Sequence, residues 1–418
     1  MNIAWFTHRY HPCVGGSENY GRNVVGRYVR GGHEVDVFTS DALDLWYFTD
    51  PARRRVEAPA VERVDGATVR RFAVKHLPMQ RYVGRLLSYA PHWPTRCTKA
   101  SYMPILPGLD KVRGPYDLVF SLGFPYTIFS HAALRTARAA GAPLVLTPFL
   151  HLATPGDAVN RHYTKPHQVR LLREADLVVV QTAIEEDAVA GWGVPRGRLL
   201  RLGMAVDHAA VTGGDGPTFR ARHGIPAGRT LVGYLGVNDP NKGTNDLVAA
   251  VARLNETRAE PIHLILAGGS SPDFERFAAA LPAETSRWLT RTGVLADDDR
   301  RHFYDALDAF AMPSRTDSFG IVFLEAWANG LPVVAAAAGG VAEVVDHDRT
   351  GLLVPFGDVE RLASALSVVV DDPAAASRLG DAGRELVSRR GFTWDDRFAA
   401  LADRAGGLIS ARQRAVAG

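Results

Sequence analysis

Asp317 and Glu325 are two carboxylates whose spacing suits the binding of a phosphorylated ligand. Glu325 interrupts an otherwise apolar helix predicted near residues 321–328, where an ionised carboxylate is costly unless something hydrogen-bonds to it. Eight residues at about 1.5 Å each put the two carboxylates at most about 12 Å apart. The N–H groups and positive dipole at the helix start favour phosphate. In an alternative interpretation, Asp317 only caps the helix and Glu325 pairs with a neighbouring backbone group.

Two glycine-containing turns lie where a predicted strand is followed by a helix. Residues 233–243 include Lys242 near their end, and lysine is a good point-charge partner for a diphosphate. Gly15 and Gly16 precede a helix that starts at about Ser17, so the backbone there can approach a ligand closely. A solvated surface lysine and an ordinary tight turn explain these residues equally well when each is taken alone.

His151 follows the strand predicted at residues 143–147, on the side where a parallel sheet presents its ligands. Its imidazole could polarise or hydrogen-bond a substrate hydroxyl, although a single loop histidine also fits a structural role. No metal site is expected, because four further histidines lack a ligand spacing with carboxylates or thiols. These four are His8, His11, His162 and His167.

Several common motifs are absent from the sequence. Neither glycine turn has the G-x-G-x-x-G spacing of a dinucleotide site or the G-x-x-x-x-G-K-[ST] spacing of a P-loop. There is also no G-x-S-x-G elbow. Hydride transfer, ATP hydrolysis and ordinary α/β-hydrolase chemistry are therefore disfavoured.

Strands and helices alternate in two series, which predicts an α/β protein of two doubly wound domains. The predicted strands cover residues 2–6, 35–39, 117–121, 143–147 and 177–181 in the first series, and 231–235, 262–267, 309–312 and 332–336 in the second. Residues 211–217, rich in Gly, are the best linker candidate. We therefore place one domain at residues 1–210 and a second at 217–392, followed by a helix at 393–418.

Residues 41–113 interrupt the alternation with many Pro and Arg residues. They contain Arg53, Arg54 and Arg55 in succession, and later Arg70 and Arg71. We interpret this stretch as elaborations around a cleft.

Composition and charge indicate a compact soluble protein. The 418 residues are 46% hydrophobic and 22% charged, with a net charge of +3 that is too balanced for wholesale nucleic-acid binding. Residues 1–208 carry 26 basic and 18 acidic residues, or +8, and the remainder carry 22 and 27, or −5. This asymmetry fits an N-terminal half that meets anionic substrate or membrane headgroups, or ordinary surface variation. With two cysteines, Cys13 and Cys97, and no evident signal peptide, we expect a cytoplasmic protein.

The chain resembles the retaining glycosyltransferases of family 4, which have the GT-B fold. Asp317 to Glu325 is similar to that family's E-x7-E motif, with aspartate at the first position. Further matching residues are Gly15 to Glu18, Gly32 to Val35, Ala175 and Asp176, Gly203 to Asp207, Pro313 and Ser314, Phe319 and Gly320, Gly330 to Val334, Gly339 and Gly340, Thr350 to Pro355, and Thr393 and Trp394. The resemblance implies two Rossmann-like domains that face each other across a cleft. It also implies a C-terminal helix that crosses back to the first domain.

The resemblance also implies a role for each matching position. Glu325 would bind the ribose hydroxyls, and Asp317 would bind the donor sugar and, with nearby backbone N–H groups, the diphosphate. Lys242 would neutralise the diphosphate, Gly16 would lie against the phosphates, and His151 would contact the transferring sugar. The expected catalytic residues are His151, Lys242 and Asp317, and the expected donor-binding residues are Gly15, Gly16, Asn238, Lys242, Arg315, Asp317, Ser318, Phe319, Gly320, Ile321 and Glu325.

One position departs from the family pattern. The family usually has an arginine five residues before the lysine, where this chain has Val237. One phosphate-binding cation is therefore missing. Arg315, two residues before Asp317, is our hypothetical replacement.

The expected function is transfer of a sugar from a nucleoside diphosphate sugar to a hydroxyl acceptor. The resemblance implies retention of configuration by a front-face mechanism, with no metal and no cofactor beyond the donor. Residues 41–113 and 152–170 would shape the acceptor pocket, for a small molecule, a glycan or a lipid-linked sugar. The alternatives are a nucleotide-sugar epimerase or hydrolase, or a catalytically silent nucleotide-sugar binding protein. We expect no nucleic-acid partner and leave peripheral membrane contact, the nucleobase and the oligomeric state open.

Overall fold

The computed structural model describes residues 1–76, 104–124, 126–153, 157–389 and 391–417. These residues form two compact units, and neither unit is one continuous stretch of chain. Unit 1 comprises Met1–Leu150, Ala158–Gly203 and Arg397–Gly418, and unit 2 comprises His151–Asp157 and Met204–Asp396.

Unit 1 is built on an eight-stranded sheet in the order β3-β4-β2-β1-β5-β6-β7-β8. All neighbouring strands are parallel except β3 and β4, which pair antiparallel. The strands are β1 (Asn2–Phe6), β2 (Glu34–Ser40), β3 (Val61–Val64), β4 (Ala67–Phe72), β5 (Leu118–Leu122), β6 (Leu144–Thr147), β7 (Leu177–Val180) and β8 (Leu199–Arg201). The central strand β1 is a continuous apolar run that is fully buried from its second residue on, as expected for a strand covered on both faces.

Helices on unit 1 present apolar stripes to this sheet. In chain order they are α1 (Gly16–Arg30), α2 (Thr127–Ala140), α3 (Pro166–Glu174) and α4 (Ala183–Gly191). Short 3-10 helices cover Leu45–Phe48, Leu109–Lys111, Ala158–His162 and Arg196–Arg198. In α1 the buried Tyr20, Val24 and Tyr28 recur at helical spacing.

Unit 2 is built on a six-stranded parallel sheet in the order β11-β10-β9-β12-β13-β14. Its strands are β9 (Leu231–Leu235), β10 (His263–Ala267), β11 (Leu289–Gly293), β12 (Ala309–Met312), β13 (Val333–Ala336) and β14 (Leu352–Val354). The chain runs outward from β9 to β11 on one side and then crosses to β12 on the other. The crevice at a topological switch point of this kind is where open α/β sheets bind ligands.

The helices of unit 2 connect these strands. They are α5 (His208–Val211), α6 (Gly216–Arg222), α7 (Thr244–Asn255), α8 (Pro272–Ala279), α9 (Asp299–Asp305), α10 (Ile321–Ala328), α11 (Val341–Val344), α12 (Val359–Asp371) and α13 (Pro373–Arg389), with 3-10 helices at Pro240–Lys242 and Ala283–Arg287. The helix predicted near residues 321–328 agrees with α10.

The linker prediction for residues 211–217 was wrong. This stretch lies inside unit 2, and the division between units falls at Gly203 and Met204 instead. The side chain of Asp215 caps α6 by accepting from the N–H of Thr218 at 2.9 Å. A Cβ at Gly214 would overlap the backbone of Arg301 in α9. The glycine therefore serves close packing and not chain flexibility.

Residues 41–113 are less irregular than predicted. They contain the antiparallel pair β3 and β4, which extends the sheet of unit 1 at its edge. Residues 77–103, which include Cys97, lie outside the described residues. Cys13 is buried, and its thiol donates to the carbonyl of Ala42 at 3.4 Å.

The last helix, α14 (Trp394–Ala417), begins in unit 2 and continues into unit 1 from Arg397 on. Within unit 1 its Phe398 ring packs edge-on against Tyr28, with the ring centroids 4.8 Å apart. Arg412 forms an ion pair with Asp176 at 2.8 Å. Among the described residues, no helix is both long and apolar enough to cross a bilayer.

Candidate active site

The predicted phosphate-binding residues lie in two loops at the switch point of the unit 2 sheet. One loop follows β9 and carries Lys242, and the other follows β12 and carries Asp317. β9 and β12 are hydrogen-bonded neighbours, so their carboxyl ends bring the two loops together. Gly243 has a φ of 72°, and a Cβ there would overlap the carbonyl of Pro313. This glycine allows the Lys242 loop to lie directly against the β12 loop.

Lys242 and Asp317 form an ion pair at the centre of this site. The Lys242 ammonium lies 2.8 Å from Asp317 Oδ2 and also donates to the carbonyl of Thr316 at 3.3 Å. The second oxygen, Oδ1, accepts from the backbone N–H groups of Phe319 at 3.3 Å and Gly320 at 3.1 Å. Burial would raise the pKa of Asp317, but the Lys242 charge and these hydrogen bonds lower it to about 2. Asp317 is therefore a carboxylate at neutral pH that both caps the turn and pairs with the lysine.

Helix α10 starts beside this ion pair, at Ile321. The first N–H groups of a helix have no acceptor within the helix, and the helix dipole makes this end positive. Ser318 and Phe319 are buried in the preceding turn. The predicted set from Asp317 to Ile321 is thus brought together, with Lys242 beside it.

His151 lies near the same residues, because residues 151–157 pack with unit 2. Burial and the charge of Lys242 lower the pKa of the imidazole to about 4, against the smaller opposing effects of Asp317 and of a hydrogen bond with the Thr316 backbone. His151 is therefore neutral at pH 7. A neutral imidazole can donate or accept a hydrogen bond at a sugar hydroxyl.

Glu325 is 2% exposed on α10, and its carboxylate is bound by two side chains of α9. Arg300 contacts both carboxylate oxygens, and the Tyr304 hydroxyl donates to Oε2 at 2.6 Å. Neither partner was identified from the sequence, and the alternative that Glu325 pairs with a backbone group was wrong. The i, i+4 spacing of Arg300 and Tyr304 on one helix face is the signal that was available.

Arg315, the hypothetical substitute for the missing arginine, is bound to another carboxylate. Its Nε and Nη2 each lie 3.0 Å from an oxygen of Asp157, and its guanidinium carbon lies 5.9 Å from the Phe356 ring centroid. Val237 is 38% exposed. Asp157 thus offsets the charge of Arg315, and the proposed replacement role stays a prediction.

Asn238 is fixed by hydrogen bonds to the loop after β10. It is 1% exposed, and its amide donates to the carbonyl of Gly268 at 3.2 Å and to Ser270 Oγ at 3.4 Å. The loop after β10 therefore already uses the amide donors. These bonds fix the loop beside β9, and the contact of Asn238 with the donor stays a prediction.

Gly15 and Gly16 lie in unit 1 at the start of α1, as predicted. This position follows β1, next to the switch between β1 and β5 in the unit 1 sheet. The sequence did not predict an ion pair at this helix start. Arg9 lies 2.7 Å from the buried Glu18 in the first turn of α1 and helps to fix that turn. Among the described residues, no three His, Cys, Asp or Glu side chains cluster as metal ligands. The absence of a metal from the reaction stays a prediction.

The chain is similar to known glycosyltransferases along most of its length. The family described as Glycosyl transferases group 1 matches residues 215–386, and the Glycosyl transferase 4-like domain matches residues 15–205. A D-inositol 3-phosphate glycosyltransferase from Actinosynnema mirum is 31% identical over 300 residues, which cover 68% of this chain and 70% of the relative. The chain belongs to the family 4 glycosyltransferases.

Two further relatives extend the comparison of this glycosyltransferase. A GDP-mannose-dependent alpha-(1-6)-phosphatidylinositol monomannoside mannosyltransferase from Mycobacterium tuberculosis is 37% identical over 172 residues, or 39% of this chain and 44% of the relative. The structure of Anabaena Alr3699/HepE in complex with UDP and glucose has a TM-score of 0.72 at 20% identity, and covers 97% of this chain and 99% of that one. The two parallel-sheet α/β units are those of the GT-B fold.

Proposed function

We propose that this glycosyltransferase moves a hexosyl group from a nucleoside diphosphate sugar to an acceptor hydroxyl with retention of configuration. The observation that carries the proposal is the Lys242–Asp317 pair beside the start of α10. A lysine, a helix N-terminus and a carboxylate at one switch point suit a diphosphate joined to a sugar. One relative is a GDP-mannose-dependent mannosyltransferase and another is a D-inositol 3-phosphate glycosyltransferase, which supports this choice of substrate class.

In the proposed reaction, the bond between the anomeric carbon and the phosphate oxygen breaks, and its electron pair leaves with the diphosphate. The acceptor oxygen bonds to the same face of the anomeric carbon, and its proton goes to the departing phosphate oxygen. Lys242 and the N–H groups of α10 stabilise the charge that grows on the leaving group. The reaction needs no metal ion, since these groups supply the positive charge.

Asp317 and His151 would hold the donor sugar in this scheme. Asp317 is ionised and accepts hydrogen bonds from sugar hydroxyls, and the neutral His151 contacts a hydroxyl near the reacting carbon. Glu325, oriented by Arg300, would bind the ribose with its remaining acceptor capacity. Positioning of this kind lowers the barrier by fixing the reacting atoms in advance.

Replacing Lys242 with alanine tests the proposal. UDP-, GDP-, ADP- and dTDP-sugars would be offered with a panel of hydroxyl acceptors, including inositol phosphates, and the products separated and analysed. We expect the Lys242→Ala variant to lose about 100-fold or more in turnover, as when one oxyanion donor is removed. The exposed Lys111 provides a matched control, and Lys111→Ala should retain wild-type turnover. Wild-type turnover in Lys242→Ala would refute the proposal, and release of free sugar without acceptor would indicate a hydrolase.

A further inference from the structure

Unit 1 has a second candidate site, a cavity of about 600 Å³ lined in part by three consecutive arginines. Its walls come from the loop after β1, represented by Pro12, and from the segment after β2, which carries Leu43, Tyr47 and Arg53 to Arg55. The carboxyl ends of parallel strands are the edge at which such sheets bind ligands. The volume falls within the range for pockets that hold small organic ligands.

The backbone holds the arginine segment in place. The N–H groups of Leu43 and Asp44 both donate to the carbonyl of Arg54 at 3.3 Å, and the N–H of Val56 donates to the carbonyl of Asp41 at 2.7 Å. Ala42 and Arg55 form an antiparallel bridge. The arginines therefore project from a segment that is fixed to the residues following β2.

The cavity carries an excess of positive charge. Arg53 has Asp50 at 3.5 Å and the Trp46 ring at 5.9 Å. Arg54 and Arg55 are exposed and have no acidic partner among the described residues. The lining contains one acidic residue, Glu57, against three arginines. An arginine fork matches phosphate geometry, and two forks without an acidic partner in one cavity are suited to bind an anion.

Nearby arginines on β4 differ in this respect. Arg70 pairs with Asp36 at 3.3 Å, and Arg71 pairs with Glu62 and donates to the carbonyl of His11 at 2.6 Å. These two cations are therefore neutralised within the fold. Arg54 and Arg55 are the ones that remain for a ligand.

From this geometry we infer that the cavity binds the phosphate of a phosphorylated organic acceptor. Arg54 and Arg55 would hold the phosphate oxygens, and the apolar walls of Pro12, Leu43 and Tyr47 would cover the organic part. Naming the ligand as the acceptor rests on the proposed function. The phosphate could belong to a soluble sugar phosphate or to a lipid headgroup, and the chemistry recognised is the same.

Binding is tested with the full chain by calorimetric titration of D-inositol 3-phosphate, inorganic phosphate and unphosphorylated inositol. The variant is Arg54→Gln with Arg55→Gln. The control is Arg30→Gln with Arg113→Gln, which removes the same charge from exposed positions of unit 1. We expect the cavity variant to bind the phosphorylated probe about tenfold or more weakly. The control should bind it within about twofold of wild type, because its lost charges are distant from the ligand and screened.

Vesicles of phosphatidylcholine with and without phosphatidylinositol form the second arm. Stronger binding to phosphatidylinositol vesicles than to the soluble probe would identify the ligand as a lipid headgroup. Stronger binding to the soluble probe would identify it as a soluble acceptor. The site is refuted if the wild type binds no phosphorylated probe or vesicle at millimolar phosphate, or if the cavity variant binds like wild type.

Nucleotide-sugar turnover measured on the same proteins separates this inference from the proposed function. If no acceptor is glycosylated but phosphate binding disappears in the cavity variant, the proposed function fails and the site stands. If the wild type glycosylates an acceptor and the cavity variant binds phosphate like wild type, the site fails and the function stands.

Discussion

Lys242 is held in position by an ion pair. Its ammonium is 2.8 Å from Asp317, so much of the conformational freedom of this long side chain is lost in the folded protein. A bound diphosphate would share the ammonium with the carboxylate, and little side-chain entropy would be lost on binding. In the proposed reaction, the ion pair would thus prepare the leaving-group site and balance its charge.

The contacts of individual residues were only partly predictable. Asp317, Lys242 and His151 follow predicted strands of parallel sheets, and sheet topology alone predicts where such residues gather. Arg300, Tyr304 and Asp157 were missed because their partners are 21 to 158 residues away in the chain. The i, i+4 spacing places Arg300 and Tyr304 on one face of α9, but it does not indicate which helix that face contacts.

At this scale, Arg300→Ala tests how far Glu325 depends on its partner. Removing the arginine leaves a nearly buried carboxylate with only the Tyr304 hydroxyl, and breaking a buried pair costs about 3–5 kcal/mol. We therefore expect a lower midpoint in thermal unfolding. Arg287→Ala, at an exposed position without an ion pair among the described residues, should unfold like wild type. An unchanged midpoint in Arg300→Ala would contradict the stabilising role.

His151 predicts a specific dependence of stability on pH. The pKa of its imidazole is about 4 in the folded chain, against 6.5 for an unperturbed histidine, so between these values the unfolded state binds the additional proton. Stability is therefore lost as the pH falls from 6.5 towards 4.

Denaturant unfolding at about pH 7 and pH 5 measures this loss. Between pH 7 and pH 5, the unfolding free energy of the wild type should fall by about 2 kcal/mol more than that of His151→Gln. The control is His208→Gln, at an exposed position, and its unfolding free energy should fall by as much as that of the wild type. Equal losses in wild type and His151→Gln would show that the imidazole is not held in its neutral form by the fold.

At the scale of elements, the β-strands were the most predictable part of the molecule. β1, β9 and β12 have the predicted bounds, because each is a continuous buried apolar run between turn residues. Strands β3 and β4 were missed because β3 is the edge strand and has only one buried residue, and because β4 beside it alternates buried and half-buried residues that include two arginines. The glycine-rich stretch before α6 was misassigned because glycine permits both flexibility and close packing.

Gly214→Ala distinguishes these two uses of glycine. A Cβ at this position would overlap the backbone of α9, so packing must be disturbed, and we expect a loss of about 2 kcal/mol or more in unfolding free energy. Gly197 has open space around its Cβ position and no positive φ, and Gly197→Ala should be near neutral. The measurement is equilibrium denaturation of both variants. Equal stabilities would restore the interpretation of a flexible linker.

At the scale of the whole molecule, unit 1 depends on the last residues of the chain. Leu401 and Ala405 of α14 are buried, and Arg412 pairs with Asp176 in the same unit. The residue pattern predicted this helix. Only the resemblance to family 4 predicted that it joins the first unit, because a sequence period does not specify which unit a terminal helix packs against.

Removing residues 397–418 should destabilise unit 1 selectively. Burial of a leucine such as Leu401 contributes about 1.5–3 kcal/mol, and the lost ion pair and ring contact add to this. Limited proteolysis with mass spectrometry should then show cleavage within residues 1–203 before cleavage within 204–396. Removal of residues 415–418 alone is the control and should leave the pattern unchanged. Cleavage that starts in unit 2 would contradict the dependence.

The interleaving of the two units has a consequence for synthesis on the ribosome. Unit 2 is complete once Asp396 has emerged, whereas unit 1 still lacks α14 at that moment although its first strand was made at the start. Tyr28, which packs against Phe398 of α14, therefore stays exposed on that side while unit 2 is translated. The N-terminal unit is thus the first to begin folding and the last to finish, and nascent chains of this protein are exposed to aggregation until α14 has been translated.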